Sequence, residues 1–498
     1  MLIRQQVNGS TKDLSLGNLS FQVSRQSNRS LEQALIFSAQ SSDDLDQKLA
    51  AFENGNKSFT AIQPQPSRPV ILCFGGQIST YVGLDKDVYD NVAILRSYLD
   101  QCDAMCLSLG LESIYPDIFQ RSPIQDIVKL QTILLAAQYS CAKTWIDCGV
   151  KVAAVVGHSF GELAALCVSG VFSLEDAFKL VSGRALLIRD SWGPDRGSML
   201  AVEADLADVN VLLTKSRNAS AGEAGLSIAC YNGPRTFTLA GSTKAVQFTA
   251  ELAKNDPIFA GIKLKKLNVT NAFHSALVDP LMSSLEALGR EIIFNEPTIR
   301  IELATEHKAT DKLEARFVAK HMRNPVFFNH AIQRLAKEFP AAIWLEAGSN
   351  STVTTMAGRA LGNLSSAYFQ SANITSDGSF QFLVDTTTKL WKEGLNVCFW
   401  AHHTKQIPEY TPVILPSYQF ERSRHWMDLK NPPKFETPIV EQVQPAEVPK
   451  GLTTFIGYQD KENKTARFRV NTAIDKFQQP LMANVWLKQL LSPLACFN

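Results

Sequence analysis

Short apolar runs recur along the chain, and each is followed by a turn and then by an amphipathic stretch. Residues 70–74, 152–156 and 341–346 are such runs, and their continuous apolar character is typical of strands buried in a parallel sheet. The largely apolar stretch 124–148 is long enough to be a helix. The pattern therefore predicts an α/β domain in which helices cover a parallel sheet.

A different pattern occupies residues 198–269. The runs predicted to be strands are 198–203, 226–231, 236–240 and 262–269, and the stretches predicted to be helices are 208–215 and 244–254. Their order, βαββαβ, is typical of a ferredoxin-like fold. We therefore predict a small ferredoxin-like subdomain at 198–269, inserted into a large α/β-hydrolase-like subdomain made of residues 67–197 and 270–394.

The flanking segments are predicted to be mostly linkers, at 1–66, 395–430, 431–450 and 451–498. The first begins with a polar stretch that lacks clear periodicity and continues with a short strand at 34–39 and a helix after Ser41. The third is rich in Pro, Glu and Val, as extended linkers are. The last 48 residues are too few to bury a core of their own.

The apolar run at 152–156 leads directly into a G-x-S-x-G segment, and a helix is predicted after it. Strand, G-x-S-x-G and helix together form the nucleophile elbow of serine enzymes. Glycines on both sides of the serine relieve a crowded turn, and the helix N-terminus offers N–H groups to an oxyanion. We therefore predict that Ser159 is a nucleophile. The alternative is a chance pentapeptide.

Four further residues are candidates for the same chemistry. A serine needs a base, and His274 is the best-placed histidine because it follows the insertion and returns to the parent sheet; a structural histidine is the alternative. His158 adjoins the nucleophile and is predicted to support it. Arg184, on an apolar helix, would bind a substrate carboxylate unless it is simply solvated. Gln77 follows the first apolar run, where its amide reaches the top of the sheet.

Composition narrows the class of protein. The chain has 49 Lys and Arg against 48 Asp and Glu, so no nucleic-acid or anionic-membrane partner is expected. Nine cysteines without C-x-x-C pairs suit a reducing compartment. Neither a long apolar span nor a signal peptide is recognisable, and a cytoplasmic location is expected. The pair His402-His403 lacks further ligands at metal-binding spacing, so no metal site is predicted.

Taken together, these motifs resemble the acyltransferase domain of a fungal non-reducing iterative polyketide synthase, a relative of the malonyl-CoA:acyl carrier protein transacylases. The likeness covers residues 31–476. Residues 73–77, CFGGQ, resemble the oxyanion-hole motif, and residues 271–274, NAFH, resemble the motif of the catalytic histidine. Arg184 falls where the family binds the malonyl carboxylate. Residues 321–326 resemble the segment whose backbone carbonyl orients the histidine.

The resemblance implies a ping-pong transfer of a malonyl unit. Ser159, activated by His274, would attack malonyl-CoA, and the oxyanion would rest on Gln77 and the N–H of Phe160. The phosphopantetheine thiol of an acyl carrier protein would then take the malonyl group. CoA and phosphopantetheine arrive as substrates, so no tightly bound cofactor is expected. The expected substrate contacts are Arg184, Phe273, His158 and Asn232, and the Phe273 form of its motif implies malonyl over branched units.

Residues 451–479 resemble the opening of a product-template domain, and the likeness is lost from about Pro480. The condensing ketosynthase domain and the carrier domain, both expected partners, have no recognisable motifs in the chain. The sequence therefore resembles one piece of a megasynthase. Two alternatives remain open at this point. One is an α/β-hydrolase-type serine esterase or thioesterase, and the other is an inactive megasynthase fragment.

Overall fold

The computed structural model describes residues 15–27, 35–55, 67–219, 225–310, 312–348, 352–362, 367–413, 415, 453–459 and 466–470. The chain forms two compact units, Met1–Ser417 and Tyr418–Asn498. In the described part of the first unit the helices are α1 (Leu16–Gln26), α2 (Ser42–Glu53), α3 (Lys86–Asn91), α4 (Ala93–Ser108), α5 (Ile127–Asp147), α6 (Phe160–Val168), α7 (Leu174–Ser191), α8 (Leu206–Ala219), α9 (Thr243–Asn255), α10 (Met282–Arg290), α11 (Arg316–Arg323), α12 (Phe328–Glu338), α13 (Thr352–Ala360) and α14 (Ser379–Lys392). The strands of that unit are β1 (Val70–Phe74), β2 (Val152–Gly157), β3 (Ser198–Glu203), β4 (Ser227–Gly233), β5 (Thr236–Gly241), β6 (Lys263–Lys266), β7 (Ile301–Glu302), β8 (Ile343–Glu346) and β9 (Tyr368–Gln370).

The large subdomain is built on a parallel sheet with the strand order β7-β2-β1-β8-β9. Alternate residues of β1 face opposite sides: Leu72 packs with α4 to α7, and Ile71 packs with α12 and α13. Because both faces are covered, β1 and β2 are apolar at every position, and β8 is apolar up to its last residue, the buried Glu346. The predicted parallel α/β fold is confirmed.

The small subdomain is an antiparallel sheet with the strand order β4-β5-β3-β6. Leu200 and Val202 lie in the hydrophobic cluster on one face of this sheet, whereas Met199 packs with the core of the large subdomain. The predicted βαββαβ order is confirmed. Strand β6 is shorter than expected, since the predicted strand ran from 262 to 269 and the observed pairing covers only Lys263–Lys266.

The flanking segments contain more structure than predicted. Helix α1 lies in the polar stretch that was expected to be a linker, and Phe21 stacks on Tyr410 at 4.2 Å between ring centroids. The strand predicted at 34–39 is wrong for its described residues, 35–39, which form no strand. Residues 400–402 form a 3₁₀ helix that buries Trp400 against Trp145, so this part of the predicted 395–430 linker belongs to the core. The flexible linker predicted at 431–450 lies outside the described residues.

The described part of the second unit is an antiparallel hairpin of β10 (Thr453–Tyr458) and β11 (Ala466–Val470). Apolar side chains such as Phe455 and Phe468 are about half exposed there. Two strands alone do not form a buried core. The likeness of this segment to a product-template domain stays a prediction.

Candidate active site

The nucleophile elbow forms where the sequence predicts it, between β2 and α6. Ser159 has φ 51° and ψ −118°, a conformation that side-chain-bearing residues rarely adopt and that stores strain. A Cβ on Gly157 would lie 2.2 Å from the backbone nitrogen of Glu162, and one on Gly161 would lie 2.3 Å from the carbonyl oxygen of Phe74. The turn is therefore closed to any residue but glycine at both positions.

Ser159 and His274 form a hydrogen-bonded pair, with 2.6 Å between Oγ and Nε2. The second ring nitrogen, Nδ1, lies 2.9 Å from the carbonyl oxygen of Asn324. Because a carbonyl oxygen only accepts, Nδ1 carries the ring proton and Nε2 is free to accept the hydroxyl proton. His274 is buried, and burial lowers its pKa to about 3. The imidazole is therefore neutral near pH 7, as a base must be.

A second histidine, His321, contacts the backbone of the nucleophile, and its side chain is only 6% exposed. His321 donates its Nε2 proton to the backbone carbonyl oxygen of Ser159 at 3.0 Å, and burial keeps its pKa well below the ordinary value. Glu162, whose Oε1 is 3.8 Å from that nitrogen, accepts the N–H of Ala304 through Oε2 at 2.7 Å. Burial raises the pKa of Glu162 to about 7. These contacts fix the backbone of the strained Ser159.

Two further hydrogen-bond donors lie in the cavity that contains the serine. Gln77 accepts a hydrogen bond on Oε1 from Nε2 of Gln131 at 2.9 Å, which orients the Gln77 amide and leaves its own NH₂ group to donate. Phe160 is the first residue of α6, so its N–H has no intrahelical acceptor. Both residues line the cavity that contains Ser159. The arrangement suits stabilisation of an oxyanion.

Arg184, on α7, is a buried cation that has no anionic partner in the part of the chain that the structure describes. It is 5% exposed, and its guanidinium lies 5.9 Å from the centre of the Phe160 ring. No carboxylate among the described residues pairs with it, and its Nε lacks a hydrogen-bond acceptor there. Burial lowers its pKa to about 10. A buried charge of this kind favours a ligand that brings the opposite charge.

His158 does not contact the nucleophile's hydroxyl but joins the two subdomains. Its Nε2 lies 2.8 Å from Oδ1 of Asn232 on β4, and Nδ2 of Asn232 donates to the hydroxyl of Thr238 at 3.1 Å. Burial lowers the pKa of His158. Because its Nε2 is engaged by an amide, the ring supports the cavity wall rather than the proton transfer.

The structure brings all eight predicted site residues to one cavity of about 300 Å³. Those eight are Gln77, His158, Ser159, Phe160, Arg184, Asn232, Phe273 and His274. The wall residues that sequence reasoning missed come mainly from the small sheet and α13: Met199, Ala201, Cys230, Thr238, Leu267 and Met356. They are ordinary strand and helix residues in the sequence, and only the packing of the two subdomains makes them neighbours of Ser159.

The described residues contain no group of three or more His, Cys, Asp or Glu side chains that could hold a metal ion. Within the described helices, none combines the length and apolar character needed to cross a membrane. The hydrogen bonds at the site are thus made by serine, histidine and amide groups around one buried arginine.

The geometry defines a serine enzyme of the acyl-transfer class, and comparison with known proteins gives its family. Residues 71–377 match the acyl transferase domain family. This match spans more than half of the chain, which therefore belongs to that family.

The relatives are fungal polyketide synthases. The chain is 65% identical over 479 residues to the clavatol synthase of Penicillium crustosum, and 54% identical over 489 residues to a non-reducing polyketide synthase of Didymella fabae. These alignments cover 96% and 97% of the chain but 18% of each relative. The chain thus spans about a fifth of the length of the curated relatives it matches.

A solved structure shows the same fold. The acyltransferase domain from the second module of the salinomycin polyketide synthase superposes with a TM-score of 0.66 at 24% identity, over 83% of this chain and 94% of that one. The chain therefore belongs to the acyl transferase domain family and shares its fold with a polyketide synthase acyltransferase domain, and the family match favours this class over the α/β-hydrolase alternative.

Proposed function

We propose that this chain transfers a malonyl unit from malonyl-CoA, through an acyl-enzyme on Ser159, to the phosphopantetheine thiol of an acyl carrier protein. One observation carries the proposal. The Ser159–His274 pair shares its cavity with the buried guanidinium of Arg184, which no carboxylate of the described residues neutralises. An acyl group that ends in a carboxylate satisfies both groups at once.

In the first half-reaction, Nε2 of His274 accepts the hydroxyl proton while Oγ of Ser159 attacks the thioester carbonyl carbon. The carbonyl oxygen becomes an oxyanion and accepts hydrogen bonds from the Gln77 amide and the Phe160 N–H. When the tetrahedral intermediate collapses, the carbon–sulfur bond breaks. The departing CoA thiolate takes the proton from His274, which leaves the malonyl ester on Ser159.

The second half-reaction runs the same steps with a new thiol. The phosphopantetheine thiol gives its proton to His274 and attacks the malonyl ester carbonyl. Collapse of this intermediate breaks the bond to Oγ, and the serine regains its proton from the imidazolium. The carbonyl oxygen of Asn324 stabilises the imidazolium in both half-reactions, because it accepts a hydrogen bond from the Nδ1–H group, whose proton no step removes.

Selectivity follows from the charge of Arg184. A malonyl carboxylate accepts two parallel hydrogen bonds from the guanidinium. An acetyl group would bury the same cation unpaired, which costs binding free energy. The aromatic ring of Phe273 packs edge-on against Trp192 at 5.5 Å and narrows the space beside the histidine. His158 and Asn232 complete the substrate wall through the hydrogen bond between them.

The partners follow from the relatives. Because those relatives are polyketide synthases, the proposed acceptor is a carrier protein domain of such a synthase, and the malonyl unit is destined for its ketosynthase domain in the cytoplasm. The proposed organisation places the acyltransferase at 67–394 with the small subdomain at 198–269. The segments on either side connect it to neighbouring domains of the synthase.

The test is transfer to a carrier protein. Purified wild type, Ser159→Ala and His274→Ala are incubated with labelled malonyl-CoA and a phosphopantetheinylated carrier protein of a fungal polyketide synthase, and labelled carrier and free malonate are counted separately. We expect the wild type to label the carrier and both variants to lose this activity. Release of malonate without carrier labelling would support a hydrolase, and a folded but inactive wild type would support an inert fragment.

A further inference from the structure

A row of four side chains crosses the small sheet on the face that borders the cavity. Cys230 pairs with Thr238, Thr238 with Ala201, and Ala201 with Lys265. Directly paired residues of neighbouring strands point to the same face. The first three line the cavity of Ser159. The fourth, on edge strand β6, therefore continues the cavity wall out to the surface.

Lys265 differs in its contacts from the other lysine on this face. Lys263, two residues earlier, forms an ion pair with Glu203 at 3.2 Å. Lys265 is exposed, and within the described residues it has no ion-pair or hydrogen-bond partner. Strands lie about 4.8 Å apart, so its Cβ is about that distance from Ala201 in the cavity wall. The side chain of Lys265 therefore begins beside the cavity wall, and its ammonium group is within reach of the edge of the cavity.

The residues that follow β6 in the chain also line the cavity. Leu267, two residues after Lys265, donates its N–H to the carbonyl oxygen of Met199 at 3.0 Å, and Leu267 and Val269 both line the cavity. Lys265 thus neighbours cavity-lining residues in two directions, across the sheet through Ala201 and along the chain through Leu267.

We propose that Lys265 binds the phosphate group of the phosphopantetheine arm that brings the acyl thioester to Ser159. This inference rests on the proposed function, because an arm whose sulfur reaches Ser159 leaves its phosphate outside the cavity. An ammonium group binds phosphate as a compact point charge. The same phosphate is present in CoA and in a carrier protein, so either arm can make this contact.

Neighbouring Lys266 provides the matched control. It has the same charge and exposure, but it pairs with Leu200, whose side chain faces the opposite side of the sheet. In Lys265→Ala we expect kcat/KM for enzyme acylation by malonyl-CoA to fall about fivefold, the upper end for an exposed ion pair. Lys265→Arg should retain most of the rate, and Lys266→Ala all of it.

The first measurement compares two acyl donors, malonyl-CoA and malonyl-N-acetylcysteamine, of which the second lacks the phosphate. The second measurement starts from pre-formed malonyl-enzyme and compares two acceptors, holo carrier protein and pantetheine, of which the second lacks the phosphate. Loss confined to phosphate-bearing partners supports the proposal. Loss with malonyl-CoA alone assigns the contact to CoA, and loss with the carrier protein alone assigns it to the carrier.

Two results would overturn the proposal. One is an equal loss with malonyl-N-acetylcysteamine, and the other is the same rate in Lys265→Ala and Lys266→Ala. If the proposed malonyl transfer itself is wrong, the result is different from both of these, because wild type would then form no malonyl ester on Ser159 with either donor. The measurement on wild type therefore separates the two claims.

Discussion

Arg184→Met should remove the selectivity for malonyl and should increase the folding stability of the protein. Methionine keeps an unbranched apolar stem of similar length but removes the guanidinium. Arg184 is 5% exposed and has no anionic partner among the described residues, so its buried charge lowers the folding stability of the protein without substrate. The substitution removes that destabilisation and also removes the group that we expect to bind the malonyl carboxylate.

Both effects can be estimated from the structure. Burial lowers the pKa of Arg184 from 12.5 to about 10, and each pKa unit corresponds to about 1.4 kcal/mol. The charged side chain therefore destabilises the free fold by up to about 3 kcal/mol at pH 7, where it is protonated in both the folded and unfolded states. Loss of a buried ion pair costs about 3–5 kcal/mol, which corresponds to at least a hundredfold loss in kcat/KM for malonyl-CoA.

The assay measures acyl-enzyme formation with malonyl-CoA and acetyl-CoA and, separately, the denaturant midpoint of the same proteins. Arg189→Met is the matched control, because that arginine lies on the same helix but is exposed and paired with Asp190. We expect Arg184→Met to lose the preference for malonyl and to unfold at higher denaturant. Unchanged malonyl preference in this variant would refute the assignment of Arg184 to the carboxylate.

Three further predictions concern the elbow and its surroundings. Burial lowers the pKa of His274 to about 3, and the base must be neutral, so the single-turnover acylation rate should stay constant from about pH 8 down to about pH 5 and fall only at lower pH. Gly157→Ala places a Cβ 2.2 Å from a backbone nitrogen and should lower the free energy of unfolding by about 3 kcal/mol or more, as measured by denaturant titration. Glu162 has a pKa raised from 4.5 to about 7, so the folded state holds the carboxyl proton more tightly than the unfolded state does. The stability that this group contributes is therefore fully present below pH 4.5 and is lost as the pH rises to about 7. Glu162→Gln should remove that decline from stability curves measured against pH.

Each of these has an outcome that contradicts it. An acylation rate with a midpoint near the ordinary histidine pKa of about 6.5 would show that His274 is not desolvated. Gly261→Ala, where a Cβ meets nothing within 4 Å, should change the free energy of unfolding by less than about 0.5 kcal/mol; equal losses in the two glycine variants would contradict the steric argument. Parallel stability curves for wild type and Glu162→Gln would mean that the carboxyl keeps its ordinary pKa.

The elbow was predictable because its signals are consecutive in the sequence. An apolar strand, two glycines around Ser159 and the following helix occupy adjacent positions, and steric crowding at Gly157 explains why the motif has this form. The arginine lies on the next helix, and the base lies 115 residues after the serine. Their roles as base and carboxylate ligand could be predicted only from the family resemblance, since histidine and arginine each have common structural roles.

The features that were missed depend on distant contacts. His321 supports Ser159 through a backbone carbonyl 162 positions away, and a backbone acceptor leaves no residue-type signal in the sequence. Helix α1 has only two buried side chains, one of which is Phe21, packed on Tyr410 and on His402. Those partners are almost four hundred residues away, so local periodicity could not reveal the helix.

The most direct test of the central claim is the mass of the intact protein after brief exposure to malonyl-CoA, followed by peptide mapping. We expect wild type to gain one malonyl group on a peptide that contains Ser159, and Ser159→Ala to gain none. A malonyl group on any other residue, or an adduct that persists in Ser159→Ala, would contradict this claim.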